Sequence, residues 1–419
     1  MSPAALTPQP TFKVVPQTKC KDQKFNFGAV VEGLDLNDIS ANDVERLKET
    51  IWTHKVIVVK GQKDLAPVKH WELVTRFDPD AHQMHSHGDM KTFEKKGGLL
   101  SKSRDVYGIP GAENVRLIGK GYQGQGCNSS LIGKCDRVKT LTPALKIGQD
   151  HYGLKNIIIK GLTNDFHAEP PNDEEFQEGI TRFQRWHIDA PLYARDPAWF
   201  TTLRALKLPS GPDLTIRWDD GSGLSMKAPP GLTAFFSTSQ LYSMLSDQEK
   251  QLADHSWVEY APHPYMWVER CKAPPTGLGL KSEGKEHTIE ELGEYDEKDV
   301  KRYPFVWVNP VTGEKAFQVH GLAARKLFLR SSIDEEPKVI DDVVAIRSFL
   351  HNIQTRVLRP EYIYLPKVEV GDIVMWDNYG TFHTAVDYPL EKYGPRTMHQ
   401  ANIGASKGPV GPVPIPVVG

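Results

Sequence analysis

Near the middle of the chain, Phe183-Gln184-Arg185-Trp186-His187-Ile188-Asp189 sets a histidine and an aspartate two residues apart among bulky, strand-forming side chains. Residues two apart in an extended backbone face the same way, so this stretch offers an imidazole and a carboxylate side by side. Towards the other end, Gly371-Asp372-Ile373-Val374-Met375-Trp376-Asp377-Asn378 reads as a turn, an apolar strand and a polar stop, followed by His383. Two histidines and one carboxylate can occupy one face of a ferrous ion and leave the opposite positions open. The third ligand then has to come from a distant strand brought alongside by folding, and that requirement points to a β-rich architecture. A second His-x-Asp, His87-Gly88-Asp89, sits among glycines and charges, where the backbone cannot hold ligands rigidly. His82, His85 and His87 invite a zinc reading, but their loop setting favours a solvated or rim cluster.

Composition narrows the function classes. The 419 residues carry a net charge of −2 with a pI near 6.7, so nothing points to nucleic acid or an anionic membrane. No apolar run reaches the roughly 18 residues that would cross a bilayer, and the start shows no secretory pattern. Cys20, Cys127, Cys135 and Cys271 are scattered and form no CxxC pair. Asn128-Ser129-Ser130 matches a glycosylation acceptor that has no use without secretion. The expectation is a soluble, cytoplasmic protein acting on a small molecule, with self-association left open.

Along the chain, residues 1–24 read as a loose arm and the Gly/Pro-rich end from 406 to 419 as a flexible tail. Residues 25–405 form the expected single catalytic domain. Phe27 to Leu36 suggests a strand and turn, and Ser40 to Trp52 a helix capped by Ser40 or Asn42. Val56-Ile57-Val58-Val59 is a buried strand. Residues 80–130 read as long loops around an entrance. Asn156 to Lys160, Arg182 to Asp189 and Trp199 to Leu206 are strand-like, and 272–300 resembles an insertion or lid. Val306 to Val308 and Lys315 to Val319 flank Asn309-Pro310-Val311-Thr312-Gly313 as a hairpin. Val339 to Leu350 has helical spacing, and Tyr362 to Leu365, Ile373 to Trp376 and Thr397 to Ile403 return to strands.

Arg396 opens a strand after the Glu391 to Pro395 turn, and its guanidinium can hold a carboxylate through two parallel bonds. With these residues assembled, the chain resembles the taurine dioxygenase-type iron(II)/2-oxoglutarate oxygenases from about Phe27 to Ile403. The likeness includes Gly28-Ala29-Val30-Val31-Glu32-Gly33-Leu34-Asp35-Leu36, Val58-Val59-Lys60-Gly61-Gln62, the Asn309 to Ala316 hairpin and Arg359-Pro360-Glu361. It implies a distorted double-stranded β-helix, or jelly-roll, with helices outside. It also implies Fe(II) on His187, Asp189 and His383, 2-oxoglutarate held by Arg396 with a second contact from Thr215, and O2 as oxidant.

Within the family, the fungal xanthine-oxygenating branch carries stretches like Thr181 to Tyr193, Thr215 to Gly221 and Tyr260 to Tyr265. That likeness implies xanthine oxygenated at C8 to urate, with succinate and CO2 released, and implicates Lys160 and Glu175 in binding or polarising the substrate. The strand after Arg396 adds a physical reason, because Arg396, Met398, Gln400 and Asn402 are spaced by two. Gln400 and Asn402 would then enter the cavity as two carboxamides suited to the N–H and C=O edges of a purine. Other substrates (a sulfonate, a carboxylate or a fungal metabolite) stay open, as does a jelly-roll binding or sensor protein without turnover.

Overall fold

The computed structural model describes residues 11–86, 107–123, 151–155, 157–161, 166–189, 195–281, 284–297 and 300–416. Its largest element is a nine-stranded sheet. Across that sheet run Lys13–Pro16, Ala29–Glu32, Val56–Val59, Ile373–Asp377, Phe200–Lys207, Arg396–Ala401, Ala112–Tyr122 and Tyr107–Ile109, with Ile158–Ile159 added beside Ala112–Tyr122. Val56–Val59 is apolar at every position because both its faces are covered. Val56 and Val58 point into the space between layers, whereas Ile57 and Val59 join the core shared with the outer helices.

Those helices form where the sequence supplies a start and an apolar stripe. Ser40 Oγ accepts from the Asp43 N–H at 3.1 Å and caps Ala41–His54, which buries Val44, Leu47 and Ile51. Pro67 opens Pro67–Phe77, which buries Leu73, Val74 and Phe77. Burying each such side chain contributes about 1.5–3 kcal/mol.

A second layer of short strands faces the large sheet. Leu214–Arg217 pairs with Ser225–Ala228 and, in parallel, with Ile180–Thr181. The chain beyond Thr181 then meets Thr381–Ala385 through single bridges, Phe183 to Val386 and His187 to His383. Thr233–Ser237 runs antiparallel to Thr381–Ala385 and bridges Tyr364 on its other side. Between the layers lie Phe25, Phe27, Leu203, Phe235, Tyr364, Trp376 and Met398. Two facing sheets closed by such crossings make the expected distorted jelly-roll. The Asn309 hairpin also forms: Asn309 Oδ1 accepts from the N–H groups of Val311 and Thr312, both at 3.0 Å, and Gly313 has φ +72°.

Several expectations need correction. Residues 107–122, read as loop, form a hairpin at the edge of the large sheet, because Val115 and Leu117 both enter the core despite the glycines around them. Arg182 to Asp189 is extended but joined only by isolated bridges, and the 156–160 strand shrinks to Ile158–Ile159. Tyr362 to Leu365 contributes a single bridge at Tyr364 after a short 3-10 turn. The supposed loose arm is tied down by Lys13–Pro16 pairing with Ala29–Glu32 and by buried Phe12. In the C-terminal tail, the Val308 N–H donates to Val410 O at 2.9 Å and Ser406 N to Asp78 Oδ2 at 2.8 Å. Part of the supposed lid is seated on the jelly-roll, where Trp186 N donates to Gly277 O at 2.9 Å. His87, Asp89, Cys127, Cys135 and Asn128 lie outside the described residues. Among those described, no helix is long and apolar enough to cross a membrane.

Candidate active site

His187, Asp189 and His383 converge at the inner face of the jelly-roll, with ligand atoms all within 4.8 Å of one another. Asp189 Oδ1 lies 3.8 Å from His187 Nε2 and 3.6 Å from His383 Nε2. A two-residue ladder sets this geometry: His187 and His383 exchange backbone hydrogen bonds of 3.0 Å in both directions, which brings the ring centroids to 4.3 Å. Among the described residues this is the group able to hold a metal ion.

The His187 ring is set up for a cation. His187 Nδ1–H donates to its neighbour's carbonyl, Arg185 O, at 2.7 Å, which leaves the Nε2 lone pair directed at the centre. Burial, with the nearby His383 and the Arg185 guanidinium, pushes the His187 imidazole well below its ordinary value, so it stays neutral. The His383 ring is held by packing, 4.8 Å from Trp376 and 5.9 Å from Phe235. Gln400 Nε2 donates to Asp189 Oδ2 at 3.1 Å, leaving Oδ1 for the metal. Two imidazole nitrogens and one carboxylate oxygen on one side are the donor set that suits Fe(II).

Asn378 locks the aspartate's backbone. Its Oδ1 accepts from Asp189 N at 2.9 Å, and its Nδ2 donates to Asp189 O at 3.0 Å and Ala198 O at 2.8 Å. Gln318 in turn donates to Asn378 O at 3.0 Å. Spacing alone gave Asn378 only the part of a polar stop, and it gave no signal for Gln318.

Arg396 is four residues from Gln400 on the same strand face, about 13 Å along the strand. Its Nη2 donates to Thr233 Oγ1 at 3.3 Å, and no carboxylate pairs with it among the described residues. A buried guanidinium without a carboxylate is a costly arrangement that a bound dicarboxylate would relieve.

The remaining sequence-named residues fare differently. Thr215 Oγ1 accepts from Lys227 at 2.6 Å, and Glu175 binds Arg217 through two hydrogen bonds of 2.9 and 2.8 Å. Lys160 is exposed after Ile158–Ile159. Thr215 and Glu175 spend these hydrogen bonds on Lys227 and Arg217 rather than on the triad or Arg396, and it is Thr233 that hydrogen-bonds the arginine. Asn402 is fully buried, its Oδ1 accepting from Ser86 Oγ and its Nδ2 donating to Thr201 Oγ1 at 3.2 Å. Of the two carboxamides, only Gln400 reaches the triad. His82 is exposed and His85 bridges Ile403, so neither joins the centre.

Known proteins resemble this chain over most of its length. Residues 145–402 match the model of the taurine catabolism dioxygenase TauD, TfdA family. An alpha-ketoglutarate-dependent dioxygenase of Alternaria brassicicola (bsc9) is 39% identical over 96% of this chain and 96% of its own length. Another from Phomopsis amygdali (fc-dox) is 40% identical over 93% of this chain and 92% of its own. An alpha-ketoglutarate-dependent xanthine dioxygenase of Emericella nidulans is 36% identical over 96% and 99%. The crystal structure of a taurine dioxygenase from Burkholderia xenovorans shares the fold, with a TM-score of 0.51 at 16% identity over 96% of this chain and 94% of that one. The chain therefore belongs to the TauD/TfdA family of alpha-ketoglutarate-dependent dioxygenases, whose chemistry uses Fe(II), 2-oxoglutarate and O2.

Proposed function

We propose that His187, Asp189 and His383 hold Fe(II), that Arg396 binds the remote carboxylate of 2-oxoglutarate, and that residues 25–405 form one catalytic unit. The convergence of two imidazole nitrogens and one carboxylate oxygen within 4.8 Å carries this reading. Bound there, Fe(II) and 2-oxoglutarate supply oxidative decarboxylation to succinate and CO2 coupled to oxygenation of a substrate. The chain's residues orient and shield: Gln400 fixes which Asp189 oxygen faces the centre, Asn378 fixes its backbone, and Phe235 and Trp376 exclude water from the far side of His383.

Xanthine, oxygenated at C8 to urate, is the substrate we put first. The xanthine dioxygenases among the relatives support it, as does the Gln400 carboxamide beside the triad. A second reading, a small organic substrate other than a purine, is favoured by the engagement of Glu175 and Asn402 in protein contacts. A panel scoring substrate-stimulated succinate release separates the two. Xanthine should stimulate most; no stimulation by xanthine while another compound turns over would discard it. Asp189→Ala should abolish turnover with an unchanged circular dichroism spectrum, and undiminished succinate formation would mean the triad is misassigned.

A further inference from the structure

A tyrosine beside Arg396 offers a donor that no other residue receives. Tyr388 lies between the strand Thr381–Ala385 and the short helix Leu390–Tyr393. It is 2% exposed, and its hydroxyl is buried with no hydrogen-bond partner among the described residues. Buried hydroxyls normally find one. The tyrosine is also held in place. Lys120, directly across the strand pair from Arg396, donates from Nζ to Tyr388 O at 2.8 Å and to Asp387 Oδ1 at 2.6 Å. The same ammonium stands 5.3 Å from the centre of the Tyr388 ring, and Asp387 Oδ1 also accepts from the Tyr388 N–H at 2.9 Å.

What faces the hydroxyl is cationic. The Arg396 guanidinium lies within electrostatic reach of it. Arg396 Nε is buried with no acceptor among the described residues, and Nη2 donates to Thr233 Oγ1. Burial pushes the Tyr388 phenol above its ordinary value, so the oxygen keeps its proton at neutral pH. Thr233, having accepted from the arginine, still has its own O–H to give. A phenol O–H, a guanidinium edge and a threonine O–H are thus gathered around one positive charge. The group that takes several such donors at once and cancels the charge is a carboxylate, which has about four lone-pair positions on two oxygens.

We propose that Tyr388 is a co-substrate-binding residue, its hydroxyl donating to the remote carboxylate of 2-oxoglutarate alongside Arg396, with Thr233 completing the set. Lys120 and Asp387 are then positioning residues that act through Tyr388. The proposal rests on the dioxygenase reading, which gives that carboxylate to Arg396, and extends it to a residue that makes the site selective for 2-oxo acids with a second acid group.

Calorimetric titrations of full-length, Mn(II)-loaded protein test it with two probes. N-oxalylglycine carries the remote carboxylate, whereas oxalate keeps the metal-binding end and lacks it. Tyr388→Phe removes one hydrogen bond to a charged group, so it should weaken N-oxalylglycine by about tenfold or more and leave oxalate within about twofold. Because the hydroxyl has no partner among the described residues, the ligand-free variant should unfold in urea at the midpoint of the unsubstituted protein. Undiminished N-oxalylglycine binding would overturn the proposal, as would an equal loss for both probes. A lower unfolding midpoint, or a variant that fails to fold, would overturn it too, since the hydroxyl would then serve the fold. Failure of the dioxygenase reading shows separately, as unsubstituted Mn(II)-loaded protein that binds neither probe.

Discussion

Asn378 makes three hydrogen bonds with one side chain, two of them to the backbone of the aspartate that would hold iron. Removing such a support loosens the ligand while leaving it in place, which typically lowers metal affinity 10–100-fold. Asn378→Ala should show a loss of about that size in anaerobic Fe(II) titrations; unchanged affinity would mean that Asp189 is positioned by other contacts. Gly277 is a second such residue. It sits at φ +71°, and a Cβ there would meet Phe183 O at 2.5 Å. Gly277→Ala should destabilise the fold by about 1–2 kcal/mol from the backbone alone, measured by urea unfolding, with the clash adding more. Neither residue's part was legible in the sequence, because a support acts through a backbone that folding brings near. The ligands were legible because their own spacing and flanking strands carry the chemistry.

Elements recognised by period were found where both faces or one clear stripe decide the pattern: Val56–Val59, the helix at Ala41–His54 and the Asn309 hairpin. The 107–122 hairpin escaped because its glycines and charges mask the two core residues, Val115 and Leu117, that seat it. Arg396–Ala401 is informative on both faces. While Arg396 and Gln400 share one face of the strand, buried His399 lies on the other, its Nε2 2.8 Å from His151 Nε2, with His70 close by. Burial presses His70 to about 3, His151 to about 4 and His399 well below its ordinary value. In the unfolded chain these histidines take up protons below about pH 6.5, whereas the native state refuses them. Their contribution to stability is therefore complete above pH 6.5 and is lost as pH falls towards 4 and 3. Each histidine steepens that loss by about 1.4 kcal/mol per pH unit within its window. Urea unfolding at pH 7.5, 6 and 5 should show the decline, and His399→Gln should make it shallower. An identical slope in the variant would rule the cluster out as its source.

At the level of the whole molecule, the jelly-roll is what makes a centre from residues so far apart. The Ile180 to Asp189 stretch and Thr381–Ala385 become neighbours because the fold lays them side by side in the second layer. The sequence pointed to the fold class and to the three side chains that converge, His187, Asp189 and His383, since each left a local pattern or a family likeness. Residues for the small molecules were harder to read: Glu175 and Asn402, named for the substrate, and Thr215, named for 2-oxoglutarate, are engaged in protein contacts. The central claim is that this assembled face binds Fe(II) and 2-oxoglutarate together. Anaerobic addition of 2-oxoglutarate to the Fe(II)-loaded protein tests it most directly. A weak visible charge-transfer band should appear in the unsubstituted protein and be lost in Asp189→Ala; its absence from folded, iron-loaded protein, or its persistence in that variant, would contradict the account.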